Sequence, residues 1–364
     1  MYKKAIEVLN IFFNNGFVAY IVGGYVRDKL LGIKTNDIDI CTNAKPKDIV
    51  KLFDIQSSDE TQYGAVKIIY KNYNFDVTTF RKDIKYEDNR RPIKIKYIND
   101  LKKDLLRRDF TINTLCIDKD ENVIDILNVK EDINRRIIKT VGNPRYKIKE
   151  DSLRILRAIR FASVLDLEID SKTKAYIKKY GKLLKKLSYN RKKDELEKIF
   201  SAKNKEKGRD YLIELNLLDD LEIFNLKDIT LCDYIIGNWV QLNVDDKYPF
   251  TKLEKEQMKK IRELLGLDLF DKYNIYKYGL YVSTVVAQIK NEDFNIVSKI
   301  HNELPIRSIK DININGLDIC KILDRKPDKF IKDIYSDLEK EIIYNRLNNE
   351  FDDIKEYIEK KYLI

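Results

Sequence analysis

The sequence predicts an α+β protein: a small mixed sheet with helices over the first 130 residues, then helices alone. Three observations carry that prediction. Short β-rich and helical segments alternate up to about position 130. Beyond about position 145 strand signals fade, and amphipathic, Lys/Glu-rich stretches continue to the end. At 364 residues the chain is too long for one simple core, so about two to four domains are expected.

The elements follow in order. Residues 3–15 repeat with helical period, placing Ala5, Ile6, Leu9, Phe12 and Phe13 on one face. Val18 to Val22 reads as a strand entering a Gly23-Gly24 turn, and Val26 to Leu31 as a short helix opened by that turn. Ile38 to Cys41 is a strand, and Lys45 to Phe53 a helix with Pro46 near its start. Ala65 to Tyr70 and Asn74 to Thr79 are strands joined through Lys71-Asn72. In the helical remainder, residues 242–250 and 302–315 read as loops between helices.

Composition narrows the function. The net charge of +10 suits a nucleic-acid partner. Cys41, Cys116, Cys232 and Cys320 are far apart and form no CxxC pair. A disulfide framework or zinc knuckle is therefore not expected, and a reducing cytoplasm is. No run of eighteen apolar residues is present, so no membrane span is expected. Polar Glu7, Asn10, Asn14 and Asn15 interrupt the first apolar stretch, which argues against a signal peptide. With His301 the single histidine, serine–histidine and cysteine–histidine nucleophilic chemistry has little to work with, and histidine-rich metal sites are excluded.

Four segments carry chemistry. The first is Gly23-Gly24-Tyr25-Val26-Arg27-Asp28-Lys29-Leu30-Leu31-Gly32, followed by Asp37-Ile38-Asp39-Ile40. Carboxylates at i and i+2 on a strand point to one side and can hold a divalent metal pair against a nucleoside triphosphate. The glycine pair lets backbone close on phosphates. Arg27 suits a phosphate, or else braces the turn with Asp28. Asp76, on a neighbouring β-rich segment, is the third carboxylate such a site calls for, or else a strand-end cap.

The second segment is Arg107-Arg108-Asp109-Phe110-Thr111-Ile112-Asn113, with charge for phosphate or ribose and an acceptor for a hydroxyl; Asp109 is equally placed to cap a helix. In the third, Glu150-Asp151-Ser152-Leu153-Arg154-Ile155-Leu156-Arg157-Ala158-Ile159-Arg160-Phe161, Asp151 and Arg154 share one helical face. There they offer acceptors and donors to a nucleobase edge, or form an ordinary surface ion pair. The fourth is one-signed: between Asp170 and Asp194 lie ten lysines and arginines and no acidic residue, a positive face for phosphates.

Together these segments resemble the class II tRNA nucleotidyltransferases, or CCA-adding enzymes, with the related bacterial poly(A) polymerases, in the polymerase β-like nucleotidyltransferase superfamily. GGYVRDKLLG with DIDI resembles the family's first motif, RRDFTIN its second and EDSLRILRAIRFA its third; Ser188 to Ile199 and Leu304 to Asp318 resemble later regions. The resemblance covers nearly the whole chain. It implies a polymerase β-like head over residues 1–140, a base-recognising neck over 141–205, a helical body over 206–300 and a tRNA-binding tail over 301–364.

By that resemblance, Asp37 and Asp39, with Asp76 as third carboxylate, serve a two-metal Mg2+ site. Gly23, Gly24, Arg27, Arg108, Asp109, Asn113, Glu150, Asp151, Arg154, Arg157 and Arg160 would bind the nucleotide, with Asp151 and Arg154 pairing to CTP or ATP. The implied reaction builds CCA on the 3′ end of tRNA, gripped on its acceptor and T-arm side. Arg81 to Pro92 resembles the flexible loop of enzymes that add the final A. That leaves an A-adding enzyme or a poly(A) polymerase as the alternative within the class. Arg91 stands where family members often carry histidine, and Asp324-Arg325-Lys326-Pro327-Asp328 lacks the usual glycine. Outside the class stand an RNA-binding protein with a dead head and a small-molecule nucleotidyltransferase. The retained acidic and arginine residues oppose the first, and the basic helical region opposes the second.

Overall fold

The computed structural model describes residues 1–55, 64–87 and 91–363. The chain forms two compact units, Met1–Phe224 and Asn225–Ile364.

The first unit begins with α1 (Tyr2–Asn14), which buries Ala5, Val8, Leu9 and Phe12. Phe13, expected on the buried face, is instead exposed, and the Lys119 ammonium sits 4.6 Å from its ring centre. The chain continues through β1 (Ala19–Val22), α2 (Gly24–Leu30), β2 (Asp39–Thr42), α3 (Pro46–Leu52), β3 (Asp54–Ile55), β4 (Ala65–Tyr70) and β5 (Tyr73–Thr79). Lys71 and Asn72 both adopt left-handed backbone, closing the expected two-residue hairpin. Next come β6 (Arg81–Glu87) and β7 (Arg91–Tyr97), α4 (Leu101–Leu106), β8 (Cys116–Ile117), β9 (Val123–Ile124), α5 (Lys130–Asn134) and β10 (Ile137–Ile138).

One mixed sheet runs in the order β3-β4-β5-β2-β1-β8-β9. The β2–β5 pair is parallel and sets Asp39 directly opposite Asp76. This is the neighbourhood expected for Asp76. Strand β2 begins at Asp39, so Asp37 lies just before it rather than on it. Ile38 and Ile40 are buried on either side of Asp39, so the two aspartates still share the outward side. The segment Arg81–Pro92 lies largely in β6 and β7, a separate antiparallel ribbon; positions 88–90 lie outside the described residues. The two-residue strands escaped the sequence reading because they are too short to show a period.

The helical part of this unit is α6 (Pro144–Glu150), α7 (Leu153–Leu165), β11 (Glu168–Ile169), α8 (Ser171–Tyr180), α9 (Tyr189–Phe200), α10 (Lys205–Glu214) and α11 (Leu218–Leu221). Strand β11 is an exception to the helical pattern; it pairs in parallel with β10. Helix α7 buries Ile155, Leu156, Ala158, Ile159, Phe161, Ala162 and Leu165. The second unit is α12 (Ile235–Leu242), α13 (Lys252–Leu265), α14 (Lys272–Lys290), α15 (Phe294–Asn302), α16 (Gly316–Leu323), α17 (Phe330–Ile343) and α18 (Phe351–Tyr362). Both expected inter-helix loops fall where the sequence placed them. Helix α13 starts on a capping box, in which the Glu254 N–H donates to the Thr251 hydroxyl and the Thr251 N–H to the Glu254 carboxylate. Among the described residues, no helix is long and apolar enough to cross a membrane. All four cysteines are buried and unbridged.

Helix α10 braces the helices that carry the third motif. At Gly208 a Cβ would stand 2.4 Å from both Ile199 Cγ2 of α9 and Ser163 Oγ of α7. Both neighbours are fully buried and cannot swing aside. Gly208→Ala is therefore expected to destabilise the protein by about 1–2 kcal/mol, overpacking outweighing the gain in helix propensity. Urea unfolding of the variant and the parent checks this; an unchanged or raised midpoint would refute the close-approach argument.

Candidate active site

The glycine turn and the acidic strand meet in space. Gly23 has φ of 81°, a left-handed conformation open to glycine. A Cβ placed there would lie 3.5 Å from Asp39 Oδ2 and 3.6 Å from Arg108 Nη1. Helix α2 starts at the next residue, Gly24. A carboxylate of the acidic pair and a guanidinium of the second motif thus converge over the turn.

Carboxylates crowd there. Burial pushes the Asp39 carboxyl up to about 6, the negative charges of Asp37 and Asp76 add to the push, and Arg108 opposes it. Arg108 Nη2 donates to Asp104 Oδ2 at 3.4 Å, while its Nε is buried without a hydrogen bond. Crowded carboxylates beside an orphaned guanidinium donor fit a divalent cation and a phosphate respectively. Among the described residues no three acidic, histidine or cysteine side chains already form a cage for an ion. A hard divalent cation takes carboxylate oxygens. Asp37 and Asp39 would hold it, with Asp76 beside them.

Arg27, Asn113, Asp109 and Arg157 form one connected chain. Arg27 Nε donates to Asp28 Oδ1 at 2.7 Å, and its Nη1 donates to Asn113 Oδ1 at 2.7 Å. Asn113 Nδ2 donates to Asp109 Oδ1 at 3.1 Å. Arg157 closes on Asp109 Oδ2 with both Nε, at 2.8 Å, and Nη2, at 2.6 Å. Arg27 therefore does brace the turn with Asp28, and it reaches across to the second motif as well. Asp109 also accepts from the Phe110 N–H at 2.8 Å. Burial alone would raise the Asp109 carboxyl; Arg157, Asn113 and the Phe110 N–H overcome it and hold it at about 2. Instead of capping a long helix, Asp109 precedes a single 3-10 turn, Thr111–Asn113.

The third motif departs from the single-helix expectation. Helix α6 ends at Glu150 and α7 starts at Leu153, with Asp151 extended between them. Asp151 Oδ1 accepts from the Leu153 N–H at 3.0 Å. Burial raises its carboxyl, against the pull of Arg154 and that N–H. Arg154 is buried. Its Nη1 donates to the Lys147 carbonyl at 2.6 Å and to Glu150 Oε2 at 2.9 Å, and its Nη2 to the Arg107 carbonyl at 3.3 Å. These bonds occupy three of the five N–H groups a guanidinium has. The two left over, on Nε and Nη2, form one edge. Arg160 Nη1 donates to Glu195 Oε1 of α9 at 3.0 Å.

The structure also assigns weight to Asp104, which the sequence reading passed over. Its fully buried carboxylate accepts from the Arg81 N–H at 3.1 Å, from Arg107 Nε at 2.9 Å and from Arg108. The signal was present as spacing: Asp104 stands three and four residues before the two arginines.

A mixed sheet with carboxylates crowded beside a glycine turn, followed by helices, defines a nucleotidyltransferase. A family model described as the poly A polymerase head domain matches residues 19–139, and one described as tRNA nucleotidyltransferase domain 2 matches 249–358. A CCA-adding enzyme of Bacillus cytotoxicus is 30% identical over 394 residues, covering 100% of this chain and 99% of that relative. One of Ligilactobacillus salivarius is 31% identical, covering 99% and 98%. The chain belongs to the CCA-adding enzyme family. Its fold is that of the Bacillus stearothermophilus CCA-adding enzyme solved in complex with CTP, with a TM-score of 0.88 at 23% identity over 99% of this chain and 97% of that one. The Thermotoga maritima enzyme solved with tRNA gives a TM-score of 0.71 at 20% identity, over 97% and 94%.

The Asp109–Arg157 pair makes a pH prediction. Its folded carboxyl sits at about 2, below the ~3.9 of an unfolded aspartate. A depressed carboxyl stabilises the fold above its unfolded value and loses that contribution as pH falls through its folded value. The stability difference between the parent and Asp109→Asn should therefore be full above about pH 4 and shrink towards pH 2. Urea titrations across that range check it. A constant difference would mean that the carboxylate charge is not what Arg157 holds.

Proposed function

We propose that this chain adds C, C and A in turn to the 3′ end of tRNA, taking CTP and ATP as substrates and releasing pyrophosphate. Its relatives at 30% identity and above over the full length are CCA-adding enzymes, and that likeness is the single observation that carries the reading. The convergence of Asp39 and Arg108 over Gly23 supplies the chemistry.

In the reaction the RNA 3′-hydroxyl oxygen bonds to the α-phosphorus, the bond from that phosphorus to the β-bridging oxygen breaks, and pyrophosphate departs. Asp37 and Asp39 would hold magnesium, which when bound would supply positive charge for the phosphates and ease ionisation of the attacking hydroxyl. The remaining work belongs to side chains. Asp76, exposed and opposite Asp39 in the sheet, takes the hydroxyl proton. Gly23 and Gly24 let backbone approach the phosphates. Arg108, whose Nη1 lies beside the Gly23 turn, contacts a phosphate oxygen, and Asp109 with Asn113 and Arg27 lies at the ribose side. Glu150 fixes Arg154, whose remaining Nε–Nη2 edge, together with the free oxygen of Asp151, reads the base. The lysines of α8 and the turn after it, Lys172, Lys178, Lys179, Lys182, Lys185 and Lys186, are exposed, and they grip the tRNA backbone on its acceptor and T-arm side. Addition takes place in the cytoplasm, where tRNA and both nucleotides are available.

A transcript of tRNA lacking its CCA end, given CTP and ATP singly and together, tests the reaction. Two additions with CTP, then one more when ATP is present, are expected. A single A added only to a transcript ending in CC would establish an A-adding enzyme instead, and long A tails a poly(A) polymerase. Asp37→Ala with Asp39→Ala should abolish addition while leaving tRNA retention on a filter largely intact. Undiminished addition would overturn the metal assignment.

The base-reading role has its own outcome. Arg154→Ala should lower the preference for CTP and ATP over UTP and GTP by about tenfold or more, the scale of one lost bidentate pair. Retained selectivity would place base recognition elsewhere.

A further inference from the structure

Three arginines meet on one aromatic ring. The guanidinium carbons of Arg27, Arg157 and Arg160 lie 5.1, 5.3 and 4.6 Å from the ring centre of Phe161. Arg27 comes from α2 and the other two from α7, the helix that carries Phe161 itself. The ring is buried. Phe110 fixes its position from the side, edge to face at 5.8 Å. Each arginine has one acidic partner: Asp28, Asp109 and Glu195.

Those partners do not exhaust the arginines. Arg157 bonds through Nε and Nη2, which leaves Nη1 with no hydrogen bond among the described residues. Among the described residues Arg160 bonds through Nη1 alone, which leaves Nε and Nη2. Both side chains keep some solvent exposure. The clustering itself is unfavourable. Burial, and the charges of Arg157 and Arg27, hold Arg160 below its ordinary value in spite of Glu195. An aliphatic side chain at position 161 would fill the space without easing that repulsion. An aromatic ring presents negative faces to cations and does ease it.

We propose that Phe161 is a positioning residue: its ring gathers Arg27, Arg157 and Arg160 so that the spare N–H groups of Arg157 and Arg160 form one preorganised cradle for the nucleotide's triphosphate. The inference rests on the reading of these arginines as nucleotide-binding. It adds that the aromatic face, and not only the apolar volume, sets their spacing. Phe161 contacts no reacting atom; it acts through the arginines.

The test separates π character from volume. Phenylalanines with one to five ring fluorines, placed at position 161 in the full-length enzyme, keep the shape while draining the ring's negative face. KM for both CTP and ATP should rise stepwise, by about tenfold at five fluorines, with kcat within about twofold and the melting temperature falling in step as the repulsion returns. Phe161→Leu should raise KM to a similar degree. A flat KM across the fluorinated series, whatever Phe161→Leu does, would overturn the proposal and leave the ring a packing element. The underlying reading is tested apart. If Arg157→Met and Arg160→Met leave KM unchanged, the arginines do not bind the nucleotide and both readings fall. If those variants are impaired while the fluorinated series is flat, only the role of the ring falls.

Discussion

A charge taken out of water must find a partner, and in the first unit that requirement organises almost everything near the site. The chain of bonds from Asp28 through Arg27, Asn113 and Asp109 to Arg157 joins the helix after the glycine turn, the second motif and the third-motif helix. Each link is a charge-assisted bond or depends on one, so removing a member strands its neighbour without water to replace it. Arg154 serves the same end at the start of α7, where the carbonyls of Lys147 and Arg107 accept from it. At the other end, Arg160 ties α7 to α9 through Glu195. An otherwise apolar helix thereby acquires one orientation relative to the sheet. The apolar surface of α7 could be satisfied by several rotations about its axis, whereas three fixed guanidiniums could not.

The acidic end obeys the opposite logic. Asp37, Asp39 and Asp76 are brought together, and the raised Asp39 carboxyl is the physical trace of its burial and of that crowding. The folded chain tolerates this because the sheet beneath is rigid: buried Ile38, Ile40 and Val77 anchor the strands on which the carboxylates stand. Asp39 and the Arg108 guanidinium meet at one turn, over Gly23. Asp104 accepts from both Arg107 and Arg108.

Much of this was legible in the chain itself. The glycine pair, the aspartates at alternate positions and the order of the later motifs were enough to name the reaction class, because metal-assisted phosphoryl transfer needs those residue types at those spacings. Element positions were legible for α1 to α3 and for β1, β2, β4 and β5, but not for β6 and β7, where the sequence reads as a flexible loop over Arg81–Pro92. They were not legible for β8 to β11, whose pairs of residues take their conformation from neighbours distant in sequence. Helical period alone does not say where a packed stripe ends, so it does not tell that Phe13 is exposed. Nothing local announces the break between Glu150 and Leu153. That break exists because Asp151 turns its carboxylate onto the Leu153 N–H.

What the sequence determined by itself was the inventory: which charges exist, in what order, and that too few histidines and too regular an acidic pair leave little room for other chemistry. Residue type and short-range spacing decide those matters, and both are covalent properties of the chain. What only the tertiary structure decided was which charges are spent and which remain. Arg27, Arg108, Arg154, Arg157 and Arg160 look alike along the chain. The fold commits three of the five donors of Arg154 to the Lys147 and Arg107 carbonyls and to Glu150, binds Arg157 to Asp109, sets Arg27 and Arg160 on the ring of Phe161, and leaves a buried donor of Arg108 unsatisfied among the described residues. The physical reason is that desolvation and pairing depend on distances in space, and strands and helices far apart in sequence supply them.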